Sequence, residues 1–261
     1  NEDSTVTGCS SSGTVNGLEA TPSYTGGLVG VNKDSATVRN SFSSGSVDGD
    51  SNVGGLVGRN KGEATITDSH SSADVTADNS AGGLVGDNLG GGLVEDSYST
   101  GSAEITGQWA SGAGGLVGTN GGTSSYPEGT VKRCYSTASA TGTTDTDGIG
   151  GLVGVNQYDG VVKNSYSTGD VTGEDEGGGL VGNFAYNYED AKIINSYTRS
   201  SVSGDTNVGG LVGYNYYNGY VENSFWDEDE GPSSSAGGTG LTTSEMKDIA
   251  SFKADWNIKK K

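Results

Sequence analysis

The sequence predicts an all-β fold: a parallel β-solenoid of about seven to eight turns of ~28 residues, closed by a short C-terminal helical cap. Three observations predict it. First, Gly-Gly-Leu-Val-Gly recurs at Gly26, Gly54, Gly82, Gly114, Gly150, Gly178 and Gly209. Second, each repeat holds three short segments of strand type separated by Gly, Asn, Asp and Ser, none long enough for a helix. Such a unit cannot bury its own apolar face, but a stack of units can, because each strand pairs with its copy in the next turn. Third, the 261 residues include 48 Gly and only 3 Pro, and Val, Leu, Ile and Phe together make up about 17%. That composition ordinarily marks disorder. Here 7 of the 11 Leu fall in the one recurring string, which places the scarce apolar side chains on a single internal stack.

The elements follow in chain order. Residues 1–226 read as solenoid and 227–261 as a capping segment. Val6-Thr-Gly-Cys-Ser10 aligns with Val38-Arg-Asn-Ser-Phe42, so the chain opens inside a repeat. Residue 1 is neither an initiator Met nor the start of a signal peptide, and the chain reads as a mature or trimmed fragment. The opening edge is expected to meet upstream residues of a larger parent chain, or another copy stacked head-to-tail into a filament. Leu28, Leu56, Leu84, Leu116, Leu152, Leu180 and Leu211 should form the core stack. Two residues after each string, Asn32, Asn60, Asn88, Asn120, Asn156 and Asn215 are spaced for an amide ladder that Phe184 interrupts. Phe42, His70, Tyr98, Tyr135, Tyr166, Tyr197 and Phe225 recur in a second string and should stack at strand spacing. One repeat per turn gives a right-handed rod of roughly 34 Å at ~4.8 Å per turn; two turns per repeat would roughly double it. In the capping segment, Thr242 and Glu245 have capping-box spacing. Met246, Ile249 and Ala250 then form one apolar helical face, and Trp226, Phe252 and Trp256 can cover the last turn.

With 33 acids against 14 bases, a net charge of -19 and a pI near 4.1, the surface repels phosphate backbones, so no nucleic-acid partner is expected. No apolar run approaches the ~18 residues of a membrane span. Acidic residues gather before each glycine string: Asp48, Asp50 and Asn52, then Asp145 and Asp147, then Asp205 among others. This corner reads as a solvated acidic ridge, or as an oxygen-rich array for which Ca²⁺ is the candidate cation; no cofactor is required. Asp227-Glu-Asp-Glu230 reads as another solvated loop. Asp68 and Asp96 sit on a recurring turn position rather than forming a catalytic carboxylate pair. Trp109, Tyr126, Tyr186 and Tyr188 fall in insertions, and Tyr214, Tyr216, Tyr217 and Tyr220 cluster in the last repeat. Exposed aromatics on a polar rod suit sugar rings or a neighbouring subunit, or pack locally within their loops. Cys9 and Cys134 are equivalent positions four turns apart, about 19 Å or more, and read as serine-like stack positions, too far apart for a disulfide. No nucleophilic triad, zinc spacing or phosphate loop appears, and no catalytic residue is assigned.

The recurring Gly27-Leu-Val-Gly30 and its six later copies resemble the GLUG-motif repeat family, and Phe225 through Lys247 resembles the segment that closes such arrays. The resemblance implies a secreted or cell-surface, adhesin-like protein and brings no catalytic residue with it. The expectation is a non-enzymatic extracellular structural or adhesive module, with a carbohydrate-binding or polysaccharide-active β-helix as the alternative and surface glycans as candidate partners.

Overall fold

The computed structural model describes residues 1–17, 23–108, 110–122, 128–143, 145–186 (185 and 186 by backbone only), 191–217, 219–248 and 251–252. Each turn of the chain visits four parallel sheets in the same order. Sheet I runs from Thr5–Thr7 to Tyr220–Glu222, and sheet II from Ser10–Asn16 to Thr239–Leu241. Sheet III runs from Tyr24–Gly26 to Gly177–Gly178, and sheet IV from Val29–Lys33 to Val212–Asn215. In sheet IV, Val29 pairs with Val57, Val57 with Val85, and so on through Val117, Val153, Val181 and Val212. One repeat is therefore one turn, and the register holds across the insertions apart from a shift between Asn156 and Gln157, where Gln157 pairs with Tyr186. The fold is the expected parallel solenoid, with one difference. A turn visits four sheets, because residues before most of the glycine strings form their own short strands in sheet III, and sheet II is a single strand in early turns, such as His70–Ala77, but two in later ones, such as Tyr98–Ser99 with Ser102–Ile105.

The glycine string makes the bend from sheet III to sheet IV, and the side-chain-free positions are demanded by backbone proximity. A Cβ on Gly86 would lie 2.6 Å from Gly58 O and 2.8 Å from Asn52 C and Val53 N. Sheet IV thus lies directly on the backbone of sheet III. Between these glycines the leucine turns inward, and one carbonyl serves two donors of the preceding turn: Leu84 O accepts from Leu56 N–H at 2.9 Å and Val57 N–H at 3.0 Å. Leu56, Leu84, Leu116, Leu152, Leu180 and Leu211 are fully buried. Leu28, in the first turn, is partly buried and packs against the same core. The stack is joined by Val38, Ile66, Val94, Val131, Val162 and Ile193 from sheet I. A second, thinner column of Val and Ala lies between sheets II and III.

Polar ladders run beside the apolar stacks. Asn32, Asn60, Asn88 and Asn120 each donate Nδ2 to Oδ1 of the next Asn, the last to Asn156, at 2.7–2.8 Å. Asn1 adds a rung by donating to Asn32 Oδ1 at 2.8 Å. Phe184, fully buried, ends the ladder as its sequence position predicts. Asn215 does not resume it but clamps the turn at Gly219. At the serine position, backbone N–H groups meet the hydroxyl of the following turn wherever that turn supplies a serine, as from Ser41 to Ser69 at 3.2 Å. Cys9 and Cys134 occupy this column and are free thiols; burial pushes the Cys134 thiol up to about 12.

At the C-terminal end, described residues that follow the last repeat fold back over it. Ser235 Oγ accepts from Leu211 N–H (3.1 Å) and Val212 N–H (2.9 Å), replacing the leucine carbonyl of a following turn. Trp226 covers Gly210 and donates its indole N–H to Pro232 O at 3.0 Å. The helix Thr243–Met246 carries both halves of the predicted capping box. Ile249, Ala250 and Trp256 lie outside the described residues. Asp227 is not the solvated residue its acidic neighbours suggest. It is buried because Thr239–Leu241 pairs onto Phe225–Asp227, and its carboxylate accepts from Arg199 Nε at 3.0 Å and Thr243 Oγ1 at 2.8 Å.

Candidate functional site

Two groups of aromatic side chains reach the surface, and they differ in what they offer a ligand. Phe42, His70, Tyr98, Tyr135, Tyr166 and Tyr197 stack on sheet II with ring centroids 4.8–5.3 Å apart and planes within 8° of parallel. Side chains alternate along a strand. The buried Ser43, Ser71 and Ser99 beside the rings therefore show that the rings point outward. Each inner ring has both faces covered by its neighbours, so the column presents ring edges to solvent. It cannot stack a sugar along its length. Phe225, which pairs in register with Tyr197, meets Phe252 edge-on at 5.4 Å.

The second group is the tyrosine cluster of the last turn. Tyr214 and Tyr216 meet edge-to-face at 5.1 Å, and Tyr216 and Tyr217 lie 5.4 Å apart at 41°. Tyr216 is 47% and Tyr217 45% exposed. The Asn215–Gly219 clamp, 2.8 Å from Gly219 N–H to Asn215 Oδ1 and 3.2 Å from Asn215 Nδ2 to Gly219 O, fixes the turn that carries them. The structure thus brings Tyr214, Tyr216 and Tyr217 together as one exposed aromatic patch. Trp109, Tyr126 and Tyr188 lie outside the described residues, and Tyr186 is described by backbone only, at the end of Val181–Tyr186.

The acidic corner is dispersed. Asp48 and Asp205 are exposed, and Asp50 uses its carbonyl to accept from Asp78 and Asn79 N–H. Asp145 sits at φ +65° in a turn, and Asp147 donates its N–H to Ala110 O. Among the described residues no three His, Cys, Asp or Glu side chains converge as a metal site. Asn52 points elsewhere. With its amide nitrogen facing Asp87 it donates to both carboxylate oxygens, at 2.6 and 3.0 Å. The same carboxylate receives Arg59 Nη2 at 2.7 Å, while Arg59 lies over the Tyr24 ring at 4.2 Å and donates to its hydroxyl. Burial raises the Asp87 pKa and Arg59 opposes it. Sequence spacing gave no sign of this buried pair, because Arg59 and Asp87 are consecutive copies of a position filled elsewhere by Val31, Thr119 and Val155. The turn reading of Asp68 and Asp96 holds: both adopt left-handed backbone at φ near +50°, like Asn40, Asn164 and Asn195 in equivalent turns.

Glu176 is the other perturbed carboxyl. Burial pushes its pKa up to about 7, against hydrogen bonding from Asn183 Nδ2 at 2.5 Å and with repulsion from Asp147 and Asp175. The folded state therefore holds a proton that the unfolded carboxyl releases near 4.5. This stabilisation is complete below about pH 4.5 and is lost as the pH rises through about 7. The melting temperature should fall across that window, and Glu176→Gln should flatten that part of the profile. A variant profile parallel to that of the wild type would refute the assignment.

Two stretches, residues 49–76 and 146–172, match the family model described as the GLUG motif. Each match spans one turn, from the approach to sheet III through sheets IV and I into sheet II. No curated protein matches the chain.

Proposed function

We propose that this chain, a GLUG-repeat protein, serves as a non-enzymatic structural and adhesive module of a secreted or cell-surface protein. In this reading it is a rod that presents the Tyr214, Tyr216 and Tyr217 patch at its capped end. The observation that carries the reading is the contrast between the two aromatic groups. The sheet II column spends its ring faces on itself and holds successive turns together, whereas the last turn sets two tyrosines outward on a clamped turn. Tyrosines so held lose little further freedom on binding and suit the apolar faces of sugar rings. The acidic surface favours neutral or amino-bearing glycans over acidic polysaccharides.

A glycan array probed with the wild type and with Tyr216→Ser/Tyr217→Ser tests the adhesive contact. The wild type should bind a restricted set of glycans, and the variant should lose about tenfold or more in affinity, since stacked aromatics each contribute on the order of 1 kcal/mol. Equal binding by both proteins would place the contact elsewhere. An absence of binding, with turnover of no polysaccharide, would leave the scaffold role alone.

A further inference from the structure

The three tyrosines of the last turn are arranged unlike the rings of sheet II. Tyr214 and Tyr216 stand at 88° to each other with centroids 5.1 Å apart, and Tyr217 lies 5.4 Å from Tyr216 at 41°. In the sheet II column the planes are parallel and the rings cover one another. A right angle does the opposite: it leaves a corner bounded by the face of each ring. Nearly half of Tyr216 and of Tyr217 is exposed, so ring faces reach water here. Two features hold the corner in place. Tyr214 lies on the paired strand Val212–Asn215, in register with Asn183. The Asn215–Gly219 clamp fixes the turn that follows.

The charge carried by this end of the rod has one sign. Residues 200–246, which include the patch and the fold-back after it, hold seven Asp and Glu and no Lys or Arg. Arg199 offsets part of this through Asp227 and Glu230. Lys192 pairs in register with Tyr220, which sets Tyr220 apart from a cation site. Ring faces carry the negative side of the aromatic quadrupole, and acidic surroundings add a general attraction for cations. A ring face cannot replace the hydrogen bonds that a primary ammonium makes with water. A fully methylated ammonium has no N–H to satisfy, and its methyl groups pack against ring faces.

We propose that Tyr214, Tyr216 and Tyr217 form a corner that binds a quaternary ammonium group of the choline type, carried on a surface glycan. This rests on the adhesive reading above and narrows it, from neutral or amino-bearing glycans to those with a methylated cation. The cation sits against the faces of Tyr214 and Tyr216, and Tyr217 closes one side. Each ring contributes modestly at an exposed site, so free choline should bind with a Kd on the order of 1 mM. A glycan that repeats the group would hold several such rods at once.

Titration of the full chain with choline chloride at constant ionic strength tests this, followed by the NMR shift of the ligand's methyl signal. The comparison ligands are glucosamine and the neutral isostere dimethylbutanol, which has carbon in place of the nitrogen. Choline should bind about tenfold more tightly than either, with its methyl signal moved upfield by the ring faces. Tyr216→Leu and Tyr217→Leu keep an apolar side chain but lose the quadrupole. Each should weaken choline about fivefold and leave the isostere unchanged, whereas Tyr217→Phe should bind choline as the wild type does. Equal affinity for choline and its isostere overturns the proposal, as does choline binding that the leucine variants do not weaken. If Tyr216→Ser/Tyr217→Ser still abolishes glycan binding, such a result discards the cation and keeps the adhesive contact. Glycan binding unaffected by that double variant discards the adhesive contact instead. Phosphocholine-bearing glycans should capture the wild type, and free choline should release it. Capture by phosphatidylcholine vesicles without capture by those glycans also overturns the proposal, and assigns the corner to a membrane surface.

Discussion

Gly86→Ala is expected to cost about 3 kcal/mol or more of stability, while Gly177→Ala stays within about 1 kcal/mol of the wild type. The two glycines belong to neighbouring sheets and differ in what surrounds them. A methyl group on Gly86 meets only backbone: Gly58 O at 2.6 Å, then Asn52 C and Val53 N at 2.8 Å. Those atoms belong to strands paired on both sides, so they cannot give way without parting sheet III from sheet IV. At Gly177 the nearest atom is the side-chain Val202 Cγ1 at 3.2 Å, which can shift. The added Ala also lowers the entropy of the unfolded chain, which offsets part of any strain. Urea denaturation followed by circular dichroism compares the two midpoints. Equal midpoints would show that the third glycine of the motif is not held by backbone contact. In a stack where each turn rests on its neighbours, the loss at Gly86 should also lower cooperativity, with the turns on either side unfolding separately.

Arg59→Met should destabilise the chain by about 3 kcal/mol at neutral pH, because it strands the buried Asp87 without its cation. The guanidinium holds that carboxylate through Nη2 at 2.7 Å and Nε at 3.3 Å, while Ser80 Oγ at 3.4 Å and Asn52, with its amide nitrogen facing Asp87, supply further donors. Without Arg59, burial acts on Asp87 unopposed by that charge and its pKa rises further. The deficit should therefore shrink on acidification, as Asp87 takes up a proton and becomes neutral. Arg59→Met/Asp87→Leu should recover most of the loss, since a buried ion pair replaced whole by apolar groups is often neutral. The four proteins of this cycle, melted at pH 7 and pH 4, separate stranded charge from lost packing. A deficit of the same size at both pH values would point to the arginine's packing over Tyr24 instead.

Much of the fold was legible in the sequence because a solenoid repeats each physical requirement once per turn. The Leu and Ser columns, the amide ladder from Asn32 to Asn156 and the aromatic stack from Phe42 to Tyr197 form where the spacing places them, Phe184 breaks the amide ladder, and Thr242 with Glu245 caps the only helix among the described residues. What repetition does not encode was harder to read. The direction of the aromatic column depends on the strand's pleat, and an outward column with its faces already paired is a brace rather than a binding surface. The fourth strand was hidden because its short segments, such as Ser80–Gly82 and Gly112–Gly114, look like linker. Asp227 looked solvated among Glu228, Asp229 and Glu230, yet its place beneath an added strand buries it. Of the aromatic residues singled out for contact, Tyr214, Tyr216 and Tyr217 assemble into one patch.

The sequence by itself determined the solenoid class, the number of repeats and the recurring glycine and leucine positions, because periodic local rules propagate along a one-dimensional stack, whereas one turn per repeat is decided by the strand register. The tertiary structure alone decided which members of a column meet water, that Arg59 and Asp87 pair across turns, and how the last turn closes. The closure depends on contacts between residues that no period relates: Ser235 with Leu211, Thr243 with Asp227, and Trp226 with Gly210. At the end of an array the next copy no longer supplies the partner, and each donor, acceptor and apolar face must be satisfied by a segment used once. That is where the exposed tyrosines lie.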